Sequence, residues 1–243
     1  MPLPAIHGVI DRRMLVNYRV DPDAIARVLP PPFEPQLVDG CAIAGICLIR
    51  LKHIRPRLWP ARCGIGSENA AHRIAVTWRE QGEQRQGVYI PRRDTDHWLN
   101  TLAGGRLFPG QHHRARFDVR ETDEKLDLAM RSRDGLVHLA VSARPATRWR
   151  DVSVFGSLDA ASRFFEGGSC GYSPTRRPGC YEGIELDCAG WAVSALEVEQ
   201  VRSSFFEDEG VFPPGSASFD CAMLMRNIAH QWRALAPLER AVA

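Results

Sequence analysis

Residues 112–143 read HHRARFDVRETDEKLDLAMRSRDGLVHLAVSA, and this stretch carries the clearest pattern in the chain. It divides into three β-prone runs, HHRARFDVRE, KLDLAMRS and LVHLAVSA, each of a length typical of a strand. The second and third runs are joined at Arg133-Asp134-Gly135, which is a hairpin turn sequence. We therefore predict three successive strands here.

Similar signals recur along the chain. Helices need a capping residue at the start and a stop at the end, and Asp21 and Ser157 are such caps. SFDCAMLMRNI (218–228) fits either a strand or a helix. Strands are predicted over residues 14–20, 41–54, 72–80, 86–92, 183–187 and 191–202, with a hairpin around Gln81-Gly82, and short helices over residues 21–29, 94–105 and 157–168. This count predicts a β-rich α+β protein, a curled sheet or barrel with a few short helices outside it.

Composition excludes several classes of partner. The formal net charge is +2 and the basic residues form no stripe or tail, so we expect no nucleic-acid partner. No apolar run approaches the length of a membrane span, which predicts no membrane partner. The opening residues MPLPAIHGVIDRR contain no signal core, and the seven cysteines include no C-x-x-C pair. We therefore expect a cytoplasmic protein with buried free thiols. The sequence does not define the oligomeric state, and a homo-oligomer is possible.

Two stretches carry a family resemblance. YRVDPDA (18–24) and LPPPFEP (29–35) resemble the N-terminal motif of the acetoacetate decarboxylase superfamily. Other stretches resemble its YqjF-like branch, a family of unknown function: GVY (87–89), GYSP (171–174), EGIEL (182–186), EVEQVRSSFF (197–206), FD (219–220) and LMR (224–226). The resemblance implies a single domain over residues 1–243, a cone-like β-barrel decorated with helices around a central small-molecule pocket.

The lysine chemistry of that superfamily is missing. Its decarboxylases attack a ketone with a lysine amine, and the segment that carries those lysines corresponds to GRLFPGQ (105–111). Gly110 and Gln111 occupy the lysine positions, and neither can form a Schiff base. Lys125 lies among acidic residues. Lys52 has Arg50 and Arg55 near it in sequence, which would lower its pKa if it were buried, but it equally fits a surface position at a strand end.

Acid/base and anion-binding candidates remain. Glu68 lies where the superfamily places a pocket glutamate, and a carboxylate in a dry barrel would move protons; the alternative is a turn or cap residue. Arg92 and Arg93, at the end of a predicted strand, suit bidentate binding of a substrate carboxylate. The alternative, a solvated strand end, must hold for at least one of the two.

The adjacent His112 and His113 point to opposite faces of their strand, so one of them is expected to act as a general acid/base inside the barrel. A metal site would need about three ligands, and His72 is the other histidine that suits one. Gln111 would offer neutral hydrogen bonds to a ligand. Tyr89 and Tyr172 are candidates for the pocket lining, although aromatic side chains in such positions often serve packing alone.

These residues lead to one hypothesis and two alternatives. The first is a cofactor-independent lyase, dehydratase, cyclase or tautomerase acting on a keto or carboxylate metabolite without a Schiff-base lysine. No nucleotide-binding or common hydrolase motif is present. The alternatives are a non-catalytic binder or sensor on the same barrel and, with less support, a metal-dependent enzyme. An enzyme pocket should place a carboxylate or histidine of perturbed pKa against an arginine, whereas a binder need not.

Overall fold

A computed structural model describes residues 6–56, 60–98 and 110–239. These ranges are rich in strands, as predicted, and contain short helices at two of the three predicted positions. The strands are β1 Ile6–Val20, β2 Glu34–Pro35, β3 Leu37–Val38, β4 Cys41–Pro56, β5 Ile65–Glu80, β6 Glu83–Thr95, β7 His112–Glu121, β8 Leu126–Ser132, β9 His138–Pro145, β10 Cys170–Pro174, β11 Cys180–Cys188, β12 Ser194–Ser203 and β13 Ala217–Glu239; the helices are α1 Pro22–Ala26 and α2 Leu158–Gly167, with a 3₁₀ turn at Ala61–Cys63.

Local signals in the sequence account for most of these boundaries. The strands β7, β8 and β9 confirm the prediction for residues 112–143, and residues 218–228 lie within β13. The β5–β6 turn has positive φ at both Gln81 and Gly82, which suits a tight hairpin. Asp21 caps α1 by accepting the backbone N–H groups of Asp23 and Ala24, and Ser157 caps α2 by accepting that of Ala160.

The predicted helix over residues 94–105 is wrong at its start. Asp94 and Thr95 continue β6, because they pair with Ala70 and Asn69 of β5. Trp98 is helical, as predicted, and the rest of that prediction, from residue 99 onward, lies outside the described residues. Within the described ranges, no helix is long and apolar enough to cross a membrane.

The sheet closes on itself twice. One circuit of hydrogen-bonded neighbours runs β6-β7-β8-β9-β12-β13-β1-β4-β5 and returns to β6. A second circuit leaves β6 through β10 and β11 and reaches β13 directly. The long strand β13 serves both, since its first half pairs with β12 and its second half with β11. Five strands, β13, β1, β4, β5 and β6, are therefore shared.

Successive side chains of the shared strands point to opposite faces of the sheet, and they pack into two separate hydrophobic cores. In β4, Ile46 and Leu48 face the first core, whereas Cys47 and Ile49 face the second. The first core continues through side chains of β8 and β9, and the second is covered by α2. All seven cysteines are free; of these, Cys47 and Cys221 are buried, so the expectation of buried thiols holds for two of them.

Candidate functional site

The sheet divides at β6, and Arg93 lies at the division. Strands β10 and β7 both pair with β6 in parallel, β10 at Val88 and Tyr89 and β7 at residues 93–95. Arg93 is in register with His112 of β7, and its Nε donates a hydrogen bond of 3.1 Å to Ser173 Oγ of β10. One guanidinium group thus bridges the two strands where they separate.

Gly110 allows this close approach. Its φ is +82°, and a Cβ added there would lie 2.5 Å from the Cβ of Ser173. A side chain would therefore be strained and would also collide with β10. The backbone N–H of Gly110 donates to Glu182 Oε2 of β11 at 3.0 Å, which fixes the start of β7 beside the division.

A cavity of about 70 Å³ opens beside Arg93. The polar side chains of its lining are those of Arg93, His112, Asn69 and Asp94. The remaining walls are apolar: Ile49, Leu51, Ala70, Ala71, Ile184 and Trp232. A few polar groups in an otherwise apolar concavity is the usual composition of a small-molecule site.

Arg93 carries a charge that the described residues do not neutralise. Its Nη2 is inaccessible to solvent and has no hydrogen-bond partner in the described ranges. No carboxylate of those ranges lies within ion-pair distance of the Arg93 guanidinium. Burial lowers the pKa of Arg93 to about 10, so the side chain stays protonated at neutral pH. Arg93 is partly buried, and a cation held away from water is costly unless it is paired, so this position favours an anion.

His112 supplies a neutral imidazole next to that charge. Burial, together with the smaller effect of the Arg93 charge, lowers the pKa of His112 to about 3, and a backbone hydrogen bond at Gly110 acts in the opposite direction. His113 lies on the opposite face, in register with Asp94, and its Nδ1 is 3.3 Å from Asp134 Oδ2. The prediction that the two histidines face apart is confirmed.

Arg92 differs from its neighbour because it is already bound to acids. Its Nη2 lies 2.9 Å from Asp94 Oδ1 and 2.8 Å from Asp134 Oδ2. Burial raises the pKa of the fully buried Asp94, and Arg92 opposes that effect. Of the two arginines proposed from the sequence, Arg93 is therefore the one whose guanidinium is not paired with a carboxylate of the described residues.

Glu68 belongs to a separate cluster of ion pairs. It lies within β5 rather than at a turn or cap, and its two carboxylate oxygens accept 2.6 Å hydrogen bonds from Arg12 and Arg50. Arg12 is fully buried and also binds Glu121 at 3.1 Å. Both oxygens of Glu68 are thus occupied, which suits a structural role better than proton transfer.

The other candidates lie away from the Arg93 cavity. Gln111 is exposed. Tyr89 and Tyr172 are buried against Phe33, at ring-centroid distances of 5.3 and 6.1 Å, and burial raises the pKa of each to about 12. Both tyrosines therefore pack in the first core.

The two lysines are surface groups. Lys52 is half exposed, and its Nζ lies 2.6 Å from Asp11 Oδ1. Lys125 is equally exposed and lies 3.6 Å from Asp127 and 3.4 Å from Glu199. Neither has the apolar surroundings that a Schiff-base lysine requires.

His72, the third histidine considered for a metal, is fully buried in β5 with its ring 4.7 Å from that of Phe205. The described part of the chain contains no group of three or more histidine, cysteine or acidic side chains placed to hold a metal ion.

Sequence reasoning missed part of the lining. Asn69 and Trp232 reach the cavity from β5 and β13, and Ser173 binds Arg93 from β10. Ser173 lies in the family-like GYSP stretch, which offered a signal. No sequence signal pointed to Trp232, because β13 approaches the cavity only through the second circuit of the sheet.

The architecture is that of the acetoacetate-decarboxylase-like fold. The acetoacetate decarboxylase of Legionella pneumophila matches with a TM-score of 0.59 and 12% identity, covering 97% of this chain and 89% of that one. An acetoacetate decarboxylase-like enzyme from Sphingomonas wittichii matches at 0.58 and 14%, covering 99% and 94%. The enduracididine biosynthesis enzyme MppR, in complex with pyruvate, matches at 0.60 and 12%, covering 98% and 91%. At these identities the likeness concerns the fold.

The chain belongs to the DUF2071 family, described as "Uncharacterized conserved protein (COG2071)", whose model matches residues 10–223. This membership confirms the resemblance to the YqjF-like branch. No curated protein matches the chain.

Proposed function

We propose that the cavity at Arg93 binds a small keto or carboxylate metabolite, and that the protein is a cofactor-independent enzyme that moves a proton on it. The observation that carries the proposal is one cavity that holds both a partly buried guanidinium, which no described carboxylate neutralises, and a neutral imidazole. This is the combination expected of an enzyme rather than of a purely apolar binding pocket.

The roles follow from one charged group, the guanidinium of Arg93, and one neutral group, the imidazole of His112. The ligand carboxylate would bind Arg93, which is an intrinsically bidentate partner for such a group. That anion would offset the charge beside His112 and raise the proton affinity of the imidazole. His112 would then take a proton from the carbon next to the keto group, and the imidazolium would be stabilised by the carboxylate that it faces. Return of the proton to another atom of the ligand completes a tautomerisation. Transfer of the proton to a β-hydroxyl, which then leaves as water while the carbanion pair forms the C=C bond, completes a dehydration of the lyase type. Attack of the carbanion on a second carbonyl of the same ligand, with the proton passing to the new alkoxide, closes a ring.

The cavity limits the size of the substrate. A water molecule needs at least ~10–15 Å³ of such space, so the 70 Å³ available suits a ligand of a few non-hydrogen atoms. Short keto acids meet this limit. MppR, on the same fold, has been seen with pyruvate and with a condensation product of pyruvate, which supports the choice of ligand class.

The chemistry would proceed without a Schiff base. Gly110 and Gln111 stand where the decarboxylases carry lysine, and Lys52 is exposed and ion-paired. Borohydride added with keto acids should therefore leave the mass of the protein unchanged. A covalent adduct on Lys52 would overturn this part of the proposal.

Deuterium exchange tests binding and proton transfer together. Short 2-keto and 3-keto acids are incubated with the protein in D₂O, and loss of the proton signal next to the keto group is followed by NMR. We expect exchange above the buffer rate, and melting temperatures raised by the acids but not by their uncharged amides.

Three variants separate the roles. Arg93→Gln should abolish both the melting-temperature shift and the exchange, whereas His112→Asn should keep the shift and lose the exchange. Arg116→Gln, an exposed arginine on the same strand β7, is the matched control and should keep both. Acid binding that depends on Arg93 with no exchange above buffer would instead identify a binder or sensor. Acid binding unaffected by Arg93→Gln would reject the site.

A further inference from the structure

Two more arginines lie in the second core, away from the site described above. Arg73 of β5 is 4% exposed, and Arg13 of β1 is partly buried. A cavity of about 30 Å³ lies against both side chains, with apolar walls that include Leu15 and Phe165. None of the described residues that line this cavity is acidic.

The known contacts of Arg73 are all with neutral groups. Its Nη2 donates a hydrogen bond to Asn17 Oδ1, and its guanidinium carbon lies 4.5 Å from the ring centroid of Phe165. Its Nε is buried and has no hydrogen-bond partner in the described ranges. Burial lowers the pKa of Arg73 to about 10, so this buried group still carries its charge at neutral pH.

Arg13 adds a second positive charge without an acid. Its Nε donates to Cys47 Sγ at 3.3 Å, its Nη1 lies 3.9 Å from Met225 Sδ, and its guanidinium stacks on Trp191 at 5.5 Å. In the described part of the chain, no carboxylate lies within ion-pair distance of either arginine.

Local dipoles and thiols compensate these charges only in part. The carboxyl end of α2 faces the cavity through Phe165 and Gly168, and such a helix end supplies roughly half a negative charge. The nearby Cys221 contributes none at neutral pH, because burial raises the pKa of its thiol to about 12. Within the described ranges, the two positive charges beside this cavity are therefore offset only in part.

We infer that this cavity is a second anion site and that it takes an inorganic monovalent anion of the size of chloride. Guanidinium N–H groups from Arg73 and Arg13 would face the ion, and the rings of the second core would exclude water from it. By the ~10–15 Å³ that one water needs, 30 Å³ admits such an ion but not a carboxylate with its carbon chain. The site is independent of the ligand proposed for Arg93.

Halide-dependent stability tests the site in solution. The melting temperature of the whole protein is measured in sodium chloride, sodium bromide and sodium gluconate at equal ionic strength. For a dissociation constant of about 10 mM, about 200 mM chloride should raise the melting temperature by ~4–7 °C over gluconate, which is too large for the cavity. Equal melting temperatures in the three salts would overturn the inference.

Variants and crystals assign the effect to this cavity. Arg73→Met keeps the length of the side chain and should abolish the difference between chloride and gluconate, whereas the exposed control Arg116→Met should keep it. If Arg73→Met fails to fold, wild-type crystals grown in bromide still decide the matter. An anomalous peak within hydrogen-bond distance of Arg73 supports the site. Its absence there, or a peak at Arg93 alone, overturns it.

Discussion

Mild acid should destabilise this protein, because His72 and His230 are buried, and His112 is partly buried, as neutral imidazoles. Burial lowers the pKa of His72 and His112 to about 3 and that of His230 to about 4, against an ordinary value of 6.5. In the unfolded chain each would bind a proton below pH 6.5, whereas the folded protein would stay neutral until pH 3–4. The stability contributed by these depressed values is present above pH 6.5 and is lost as the pH falls.

The size of the loss follows from the difference between the histidine pKa values of the unfolded and folded states. At about pH 5, each histidine costs ~2 kcal/mol of unfolding free energy relative to neutral pH, or ~6 kcal/mol for the three together. Single domains are stable by ~5–15 kcal/mol, so the loss approaches the whole margin. Urea unfolding curves at about pH 7, 6 and 5 would measure it.

One variant isolates the contribution of His72. Both nitrogens of His72 lack a hydrogen-bond partner in the described ranges, so His72→Phe removes a titrating group without breaking a known bond. Relative to wild type, the variant should gain ~2 kcal/mol between about pH 7 and pH 5. The exposed Arg116→Gln, which removes no group that titrates in this range, should leave the pH dependence unchanged. If His72→Phe and wild type lose stability in parallel, His72 is not buried as a neutral imidazole and the reasoning fails.

Three further predictions concern the sites. Arg93→Gln should raise the pKa of His112 while leaving it below 6.5, since burial remains; an NMR titration of the imidazole that shows no rise would contradict their coupling. Arg12→Met removes a fully buried guanidinium shared by two glutamates and should cost ~3 kcal/mol in urea unfolding, the low end for a broken buried pair because other arginines still bind both acids; a loss under ~1 kcal/mol would show that the pair is dispensable. Gly110→Ala should cost more than the matched Gly135→Ala in the same assay, because both have positive φ but only the first added Cβ meets a neighbour; equal costs would mean that the start of β7 moves aside.

The strands were predictable because their signals are local. Alternation and turn residues define β7, β8 and β9 within 34 positions of the chain, from His112 to Pro145. The same alternation correctly set His112 and His113 on opposite faces. The end of β6 was not predictable in this way, because Asp94 and Thr95 have capping chemistry that pairing with β5 overrides.

The difference between Arg92 and Arg93 lies beyond local reasoning. The sequence presents them as equivalent neighbours, and the structure separates them because Asp134, at the β8–β9 turn, reaches the face of Arg92 and not that of Arg93. Glu68 similarly acquires its partners from β1 and β4. Which charged group is neutralised depends on contacts between distant strands, and those contacts decide where the candidate site lies.

The position of β13 has a consequence for how the molecule is made. It is the last strand along the described chain, yet β1, β11 and β12 all require it as a hydrogen-bonding partner. During synthesis β1 therefore waits for a partner about two hundred residues away, with one long edge unpaired. Contacts of such separation form slowly, so the nascent chain is expected to depend on chaperones until β13 emerges and closes both circuits in one event.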